Sequence, residues 1–353
     1  MIGINVVRSS CIDLFCGVGG LTHGFVLEGL PVVAGIDLDP ACRFPYERNN
    51  DAQFVEKDVS QVTGDELKKL FNSEGMKVLA GCAPCQPFST YAQRYEQASD
   101  GKWGLLYQFA RLTEATNPDI VTMENVPSVA RHKVFQDFVS KLRGLGYQVW
   151  HDVIDSSLYG VPQSRKRMVL LASKHGEIRL IKPTHLQPKT VQEAIGNGKL
   201  TKIYAGGAAP NDRLHTSSAL SAKNLERIRI SKPGGTWRDW PEHLIADCHR
   251  SDTGKTYPGV YGRMEWGKPA PTMTTQCYGY GNGRFGHPEQ DRAISLREAA
   301  ILQSFPESYV FIPEDGEISF SSLGRLIGNA VPVDLGRAIA RSIKLHLATL
   351  EDR

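Results

Sequence analysis

The sequence predicts a doubly wound, Rossmann-like α/β sheet with a second, smaller, loop-rich domain, and three observations carry that prediction. Between residues 11 and 173, short β-branched apolar runs alternate with helix-like stretches, the rhythm of βα units laid into one sheet. A glycine-rich turn, Asp13-Leu-Phe-Cys-Gly-Val-Gly-Gly, falls where the first strand would enter the first helix. From about residue 174 the rhythm fails, and Gly, Pro, Lys, Arg and His dominate, with turn signals at Lys232-Pro-Gly-Gly and Tyr278-Gly-Tyr-Gly-Asn-Gly.

In chain order, strands are expected at Ile12–Cys16, Val32–Asp37, Phe54–Lys57, Val78–Cys82, Asp119–Glu124, Gln148–Ile154 and Arg167–Ala172. The clearest helices between them are Leu105–Thr116 and Phe135–Leu145. Order returns with a helix at Leu296–Ser304, stopped by Pro306, and with a C-terminal helix from Pro332 to Leu347 whose proline suits a first turn. Residues 1–173 and 295–353 are therefore expected to form one domain and residues 174–294 the other. A chain of 353 residues exceeds one usual hydrophobic core, which agrees with two.

Composition bounds the function. Seven cysteines in a chain this long do not form a disulfide framework, and a reducing cytoplasm is the expected compartment. The opening residues lack the apolar run of a signal peptide, and no run of eighteen apolar residues occurs, so a soluble protein without a membrane partner is expected. The formal net charge is only +3, but residues 174–294 hold 18 Lys and Arg against 11 Asp and Glu, and six of the ten histidines. A basic segment beside an acidic remainder favours a polyanionic partner, though a solvated surface of mixed charge would look similar.

The glycine turn points to a nucleotide-type cofactor, because Gly17, Gly19 and Gly20 let backbone amides approach a ligand at a helix N-terminus. A dinucleotide fingerprint wants a further glycine three residues after the second; here Gly19 is followed by Thr22, which weakens a hydride-transfer reading. Asp37 ends the second strand, where a carboxylate can accept both ribose hydroxyls. Asp58 follows the third strand, where it can accept from an adenine amino group. Together with Asp13 they outline an adenosine pocket. Phe15 stacks on the adenine, lies beside the rest of the ligand, or is plain core.

Gly81-Cys-Ala-Pro-Cys-Gln-Pro-Phe-Ser places Cys85 just past the fourth strand, at the sheet edge where open α/β proteins bind ligands. Cys82 and Cys85 also form a CxxC, so redox and zinc roles stand beside a nucleophile. No second CxxC or paired histidine accompanies them, and Pro87 suits no redox helix. Glu124-Asn-Val-Pro closes the next strand and puts an acid at the same edge, and Gln163-Ser-Arg165-Lys-Arg167 adds two guanidinium groups.

These motifs, in this order, resemble the cytosine-5 DNA methyltransferase family, and the likeness extends over nearly the whole chain. It rests on Asp13–Gly20, Pro84-Cys85-Gln86, Glu124-Asn125-Val126, Gln163–Arg167, Arg297-Glu-Ala-Ala-Ile-Leu-Gln303-Ser-Phe-Pro306 and Gly328-Asn329-Ala-Val-Pro332, with the basic segment where that family keeps its target recognition domain. The resemblance implies S-adenosylmethionine as cofactor, with S-adenosylhomocysteine as product and no metal. It implies double-stranded DNA as partner and the bacterial cytoplasm or nucleoid as location. A monomer is expected, and a cognate restriction endonuclease is the functional partner to look for.

By the same resemblance Cys85 attacks carbon 6 of cytosine, Glu124 serves ring nitrogen 3 and the amino group, and Arg165 and Arg167 hold the base carbonyl and orient Glu124. The cofactor set is Asp13, Phe15, Gly17, Gly19, Gly20, Leu21, Asp37, Leu38, Asp58, Val59, Pro84, Asn329 and Ala330. A target atom inside the duplex must be extruded, and Ser89–Gly104 is the loop expected to close over it, with Lys102-Trp-Gly where an arginine-led turn is often seen. Gln86, Ser89, Arg94, Gln276 and Arg284 are the expected DNA contacts, the last two as base-edge readers. Two alternatives stay open. One is the transfer-RNA cytosine methylase branch, against which stand the long basic segment and Ser89 in place of threonine. The other is a non-catalytic adenosyl- or DNA-binding homologue, against which stands the joint presence of Cys85, Glu124, Arg165 and Arg167.

Overall fold

The computed structural model describes residues 8–72, 74–84, 104–252 and 254–351. A seven-stranded sheet is built from β1 (Ser9–Leu14), β2 (Val32–Asp37), β3 (Gln53–Glu56), β4 (Met76–Gly81), β5 (Ile120–Asn125), β6 (Gln148–Asp155) and β7 (Lys166–Ser173), in the spatial order β3-β2-β1-β4-β5-β7-β6. Five neighbours run parallel, whereas β7 is antiparallel to both β5 and β6. The winding reverses at β1: the chain moves outward through β2 and β3, then returns to the other side of β1 with β4. That reversal opens a crevice at the carboxyl ends of β1 and β4.

The strands form because they are covered on both faces. Every residue of β1, β4's last four and all of β5 are buried. Alternate residues Ile12 and Leu14, Val121 and Met123, and Met168 and Leu170 meet Leu106, Phe109, Leu112, Phe138 and Leu142 in one core. Each such fully buried side chain contributes about 1.5–3 kcal/mol. The helical side chains come from α4 (Gly104–Thr116) and α5 (Lys133–Gly144), which follow α1 (Gly20–Leu27), α2 (Arg43–Asn49) and α3 (Gly64–Leu70). A Thr63–Glu66 capping box starts α3. The C-terminal α11 (Val333–Glu351) packs on α1 through glycines: a Cβ on Gly24 would lie 2.6 Å from the Val333 carbonyl oxygen.

The seven strands appear where expected, with one informative shift. The first begins at Ser9 and ends at Leu14 instead of running Ile12–Cys16, because Phe15 turns the chain out with φ of 58°.

Two compact units result: Met1–Tyr159, Lys166–Thr184 and Val331–Arg353 form the first, and Gly160–Arg165 with His185–Ala330 the second. The chain returns to the first unit at residue 331, not at the expected 295. The helix α9 (Leu296–Leu302) is bound within the second unit: Arg297 pairs with Asp212 at 2.6 Å, and Ser295 shares a 2.8 Å hydrogen bond with His215. Residues 174–184, expected in the second domain, stay with the first, where His175 meets Asp119 at 2.7 Å and the Ile181 amide donates to Ser342.

The second unit holds a two-stranded hairpin, β8 (Ala208–Ala209) and β9 (Asp212–Thr216), with the short helices α6 (Val191–Ile195), α7 (Ala222–Ile230), α8 (Asp247–Arg250) and α10 (Phe320–Asn329) besides α9. Long irregular segments leave many main-chain carbonyls to satisfy, and buried arginines do it. Arg263, 4 % exposed, donates to the carbonyls of Ile228, Ser231, His287 and Gln290 and pairs with Asp291. Arg292 grips Glu298 with two 2.7 Å bonds. Burial raises the Glu298 carboxyl, but Arg292 outweighs it and brings it down to about 2.

His287 is held neutral beside that pair. Its Nδ1 accepts from the amides of Glu289 and Gln290 at 3.1 and 2.9 Å, so that nitrogen must lack a proton. Burial lowers this imidazole from 6.5 to about 4, against the opposing pull of Glu298. Between those two values the unfolded chain binds the proton and the folded chain does not, so stability is complete above about 6.5 and falls as the pH drops towards 4. Lowering the pH from 7.5 to 5 should therefore remove about 2 kcal/mol through this residue alone. Thermal melting of wild type and His287→Gln across that range tests it: the variant should lose less of its melting temperature on acidification, and parallel slopes would exclude His287 as the source.

Candidate active site

The cofactor end is built at the tips of β1 and β2. Asp13, 1 % exposed, accepts from the Thr22 hydroxyl at 2.7 Å through Oδ2, while its Oδ1 is buried with no hydrogen-bond partner among the described residues. Burial pushes this carboxyl up to about 7, with Thr22 pulling down and Asp37 adding to the rise. Beyond it the backbone turns through Phe15, Gly17 (φ 52°) and Gly19 (φ 84°) into α1. A Cβ on Gly17 would meet nothing within 4 Å, so space lies open over the turn. Gly19 caps α1 without any side-chain bond, leaving first-turn amides available to a ligand.

Asp37 fixes this turn. Its Oδ2 accepts from the Gly17 amide at 2.9 Å and its Oδ1 from the Asp39 amide at 3.0 Å. A carboxylate offers about four acceptor sites, so these contacts leave capacity for further donors such as hydroxyls. Burial raises the Asp37 carboxyl, opposed by those amides. Leu38, next in the chain, is 65 % exposed, an apolar surface beside the carboxylate. Asp58 caps the turn Val59–Gln61 by accepting from the Ser60 amide at 2.8 Å. Val59 and Leu21 are buried, and Phe15 packs against the main core, so the plain-core reading of Phe15 matches its position. Carboxylates at two strand ends, an open glycine turn and an uncapped helix start fit a cationic adenosyl ligand.

The chemical end lies at the tips of β4, β5 and β7. Glu124, 3 % exposed, is addressed from two sides: the Cys82 thiol donates to Oε2 at 3.0 Å, and Arg167 Nε sits 2.9 Å from Oε1. The Arg167 contact is an ion pair outside hydrogen-bonding alignment, so Oε1 remains an acceptor for another donor. Asn125 ties the neighbouring strand end, with Nδ2 donating to the Ala83 carbonyl at 3.0 Å and Oδ1 accepting from the Val126 amide at 2.8 Å. Pro84, exposed, is the last described residue before Cys85. Cys85, Gln86, Ser89 and Arg94, and the expected loop through residue 103, lie outside the described residues.

The two arginines part company. Arg167, the second residue of β7, belongs with Glu124 in the first unit, whereas Arg165 belongs to the second, buried, with its Nη1 and Nη2 donating to the carbonyls of Met273 and Ala330 at 3.1 and 3.4 Å. Those two donors serve the backbone, so Arg165 is a clamp in this structure. Gln163 extends the clamp: its Nε2 donates to the Leu302 carbonyl and to Gln303, which in turn donates to the carbonyls of Ile327 and Ala330. Asn329 and Ala330, expected at the cofactor, thus end α10 on a backbone held by buried amides. Gln276 is exposed. Arg284 is turned inward, its Nη1 donating to the Gly235 and Arg263 carbonyls, so base reading by that nitrogen conflicts with its position.

Sequence reasoning passed over Asn125, Gln163 and Gln303 as functional supports and weighed Cys82 only as half of a CxxC. The signal for Asn125 was its place beside the acid at a strand end. The two glutamines sit in quoted motifs but gave no sign of facing each other.

Asp37 generates a direct expectation. Asp37→Ala removes two amide bonds from the turn and should weaken S-adenosylhomocysteine binding about 10- to 100-fold by calorimetry. Unaltered affinity would remove Asp37 from the pocket.

The sequence profile of the C-5 cytosine-specific DNA methylase family matches residues 9–345. The chain is 55 % identical over 347 residues to the type II methylase M.HgiDII of Herpetosiphon aurantiacus, covering 97 % of each. It is 32 % identical to the type II methyltransferase M1.HphI of Haemophilus parahaemolyticus, covering 94 % of this chain and 86 % of that one. Among solved structures, Spodoptera frugiperda DNMT2 superposes with a TM-score of 0.65 at 17 % identity, covering 95 % of this chain and 99 % of that one, a likeness of fold.

Proposed function

Because the chain belongs to the C-5 cytosine-specific DNA methylase family, we propose that Cys85 is its nucleophile, Glu124 its acid and Arg167 the residue that orients that acid. The protein is a DNA cytosine-5 methyltransferase that uses S-adenosylmethionine. When bound, the cofactor supplies an electrophilic methyl group on a sulfonium. Asp13, Asp37, Leu38, Asp58, Leu21 and the open glycine turn of Gly17, Gly19 and Gly20 are the residues that would hold it, with Phe15, Val59, Pro84, Asn329 and Ala330 completing the proposed set.

The observation that carries the reading is Glu124, buried between Cys82 and Arg167 at the strand end next to the one leading into Pro84-Cys85. A carboxyl group so fixed can deliver a proton in one direction. In the proposed reaction the Cys85 sulfur bonds to carbon 6 of cytosine. The carbon 5–carbon 6 π pair moves to carbons 4 and 5, and the pair from carbon 4 and nitrogen 3 settles on nitrogen 3, which takes the Glu124 proton. Carbon 5, now enamine-like, would take the methyl group from the sulfonium, whose sulfur would keep the broken bond's electron pair and leave as a neutral thioether, while the nitrogen 3 pair re-forms the double bond to carbon 4. Loss of the carbon 5 proton to water, expulsion of the Cys85 sulfur and return of the nitrogen 3 proton to Glu124 restore the ring and the enzyme. Arg165 is assigned a supporting part, through the backbone it clamps, in addition to the base carbonyl expected for it.

Beyond the chemistry, the second unit is proposed to read a duplex sequence from which the target cytosine is extruded. Gln86, Ser89, Arg94 and Gln276 are its candidate DNA contacts, with Arg284 demoted to a loop clip. The naming of its relatives as type II enzymes supports a place in a restriction-modification pair, with a cognate endonuclease as functional partner. A monomer working in the bacterial cytoplasm fits; among the described residues no helix is long and apolar enough to cross a membrane.

The covalent step is open to direct test. DNA carrying 5-fluorocytosine should trap the protein as a denaturation-resistant adduct, since fluorine cannot leave as a proton does, and Cys85→Ser should abolish both adduct and methyl transfer while still binding S-adenosylhomocysteine. Turnover by the serine variant, or turnover of wild type with no adduct, would reject Cys85. Bisulfite sequencing of DNA exposed to the enzyme then gives the target.

A further inference from the structure

We propose that Cys82 is a positioning residue for the methyl transfer, acting through Glu124 by a thiol-to-carboxylate hydrogen bond. The inference rests on the reading of Glu124 as the acid.

The observations are three. First, Cys82 is the residue immediately after β4, and its backbone is fixed there, its amide donating to the Leu14 carbonyl at 3.2 Å. Second, its sulfur lies 3.0 Å from Oε2 of a carboxylate that is 3 % exposed, where a hydrogen bond to charge is worth more than in water. Third, Arg167 approaches the other oxygen, so the carboxyl plane is defined by one contact on each oxygen. A single ion pair would leave the carboxyl group to rotate about its last bond. A thiol on Oε2 stops that rotation and leaves the remaining lone pairs directed elsewhere.

The chemistry suits sulfur. A thiol donates weakly, so it fixes Oε2 while leaving Oε1 as the oxygen that can share a proton with the base. The contact also joins strand ends: Cys82 to Glu124 and Ala83 to Asn125 are two adjacent cross-links between β4 and β5, immediately before Pro84 and Cys85. The cysteine that looks like a redox or zinc partner of Cys85 donates to the acid in this structure.

The test compares Cys82→Ala with Cys82→Ser, the latter retaining a donor of similar size. Cys82→Ala should lower kcat about 10- to 100-fold, with KM for S-adenosylmethionine and for DNA and the melting temperature unchanged, and should slow adduct formation on 5-fluorocytosine DNA in parallel. Cys82→Ser should stay within about threefold of wild type. In a Glu124→Gln background the alanine change should have no further effect on the residual rate, because the two residues act as one unit. Equal loss in the alanine and serine variants, a fall confined to KM or to melting temperature, or full additivity with Glu124→Gln would overturn the proposal. The outcomes separate from those of the parent reading: an active Glu124→Gln enzyme removes the acid itself, whereas an inactive Glu124→Gln with a normal Cys82→Ala removes only Cys82.

Discussion

The site depends on the in-register parallel pairing of β1 with β4. Leu14 stands opposite Gly81 and Asp13 opposite Ala80, and the ladder runs one bond further, from the Cys82 amide to the Leu14 carbonyl. That pairing sets the cofactor turn beside the strand end that leads to Cys85. It also demands glycine at 81, where a Cβ would lie 2.9 Å from both the Leu14 carbonyl oxygen and the Phe109 ring. A slip of one residue would turn the strand's buried side chains to the opposite face and carry Glu124, the glycine turn and the segment leading to Cys85 out of line.

Around this pairing the electrostatics are layered. Asp13 and Asp37 concentrate negative charge at one side of the crevice, which a sulfonium would relieve, and burial makes that relief strong for Asp13. On the other side Glu124 has a cation and a thiol for company. The same sheet edge therefore offers an unrelieved acid on one side and, on the other, an acid constrained by a contact on each oxygen.

Much of this was legible in the sequence. Alternating apolar runs gave all seven strands, because each had to be apolar to be covered on both faces, and the acids at 13, 37 and 124 were located by their places at strand ends. What could not be read was partnership. Cys82 carries no sign in its spacing that it faces residue 124, and Arg165 and Arg167, two residues apart, look equivalent on paper but serve different units because the chain changes unit between them. The return at residue 331 was missed for a related reason: Leu296–Leu302 has an ordinary helical pattern, and only the buried links from Arg292, Ser295 and Arg297 reveal which unit it completes. Arg284 looked like a base reader by residue type, and the carbonyls that claim it belong to distant glycine-rich turns.

The manner in which Arg263 secures the loops of the second unit carries its own consequence. Apart from Asp291, its acceptors are peptide oxygens of Ile228, Ser231, His287 and Gln290, groups that every amino acid possesses. The scaffold is indifferent to which side chains those loops display, so their outward faces can change while the anchoring arginine keeps its grip.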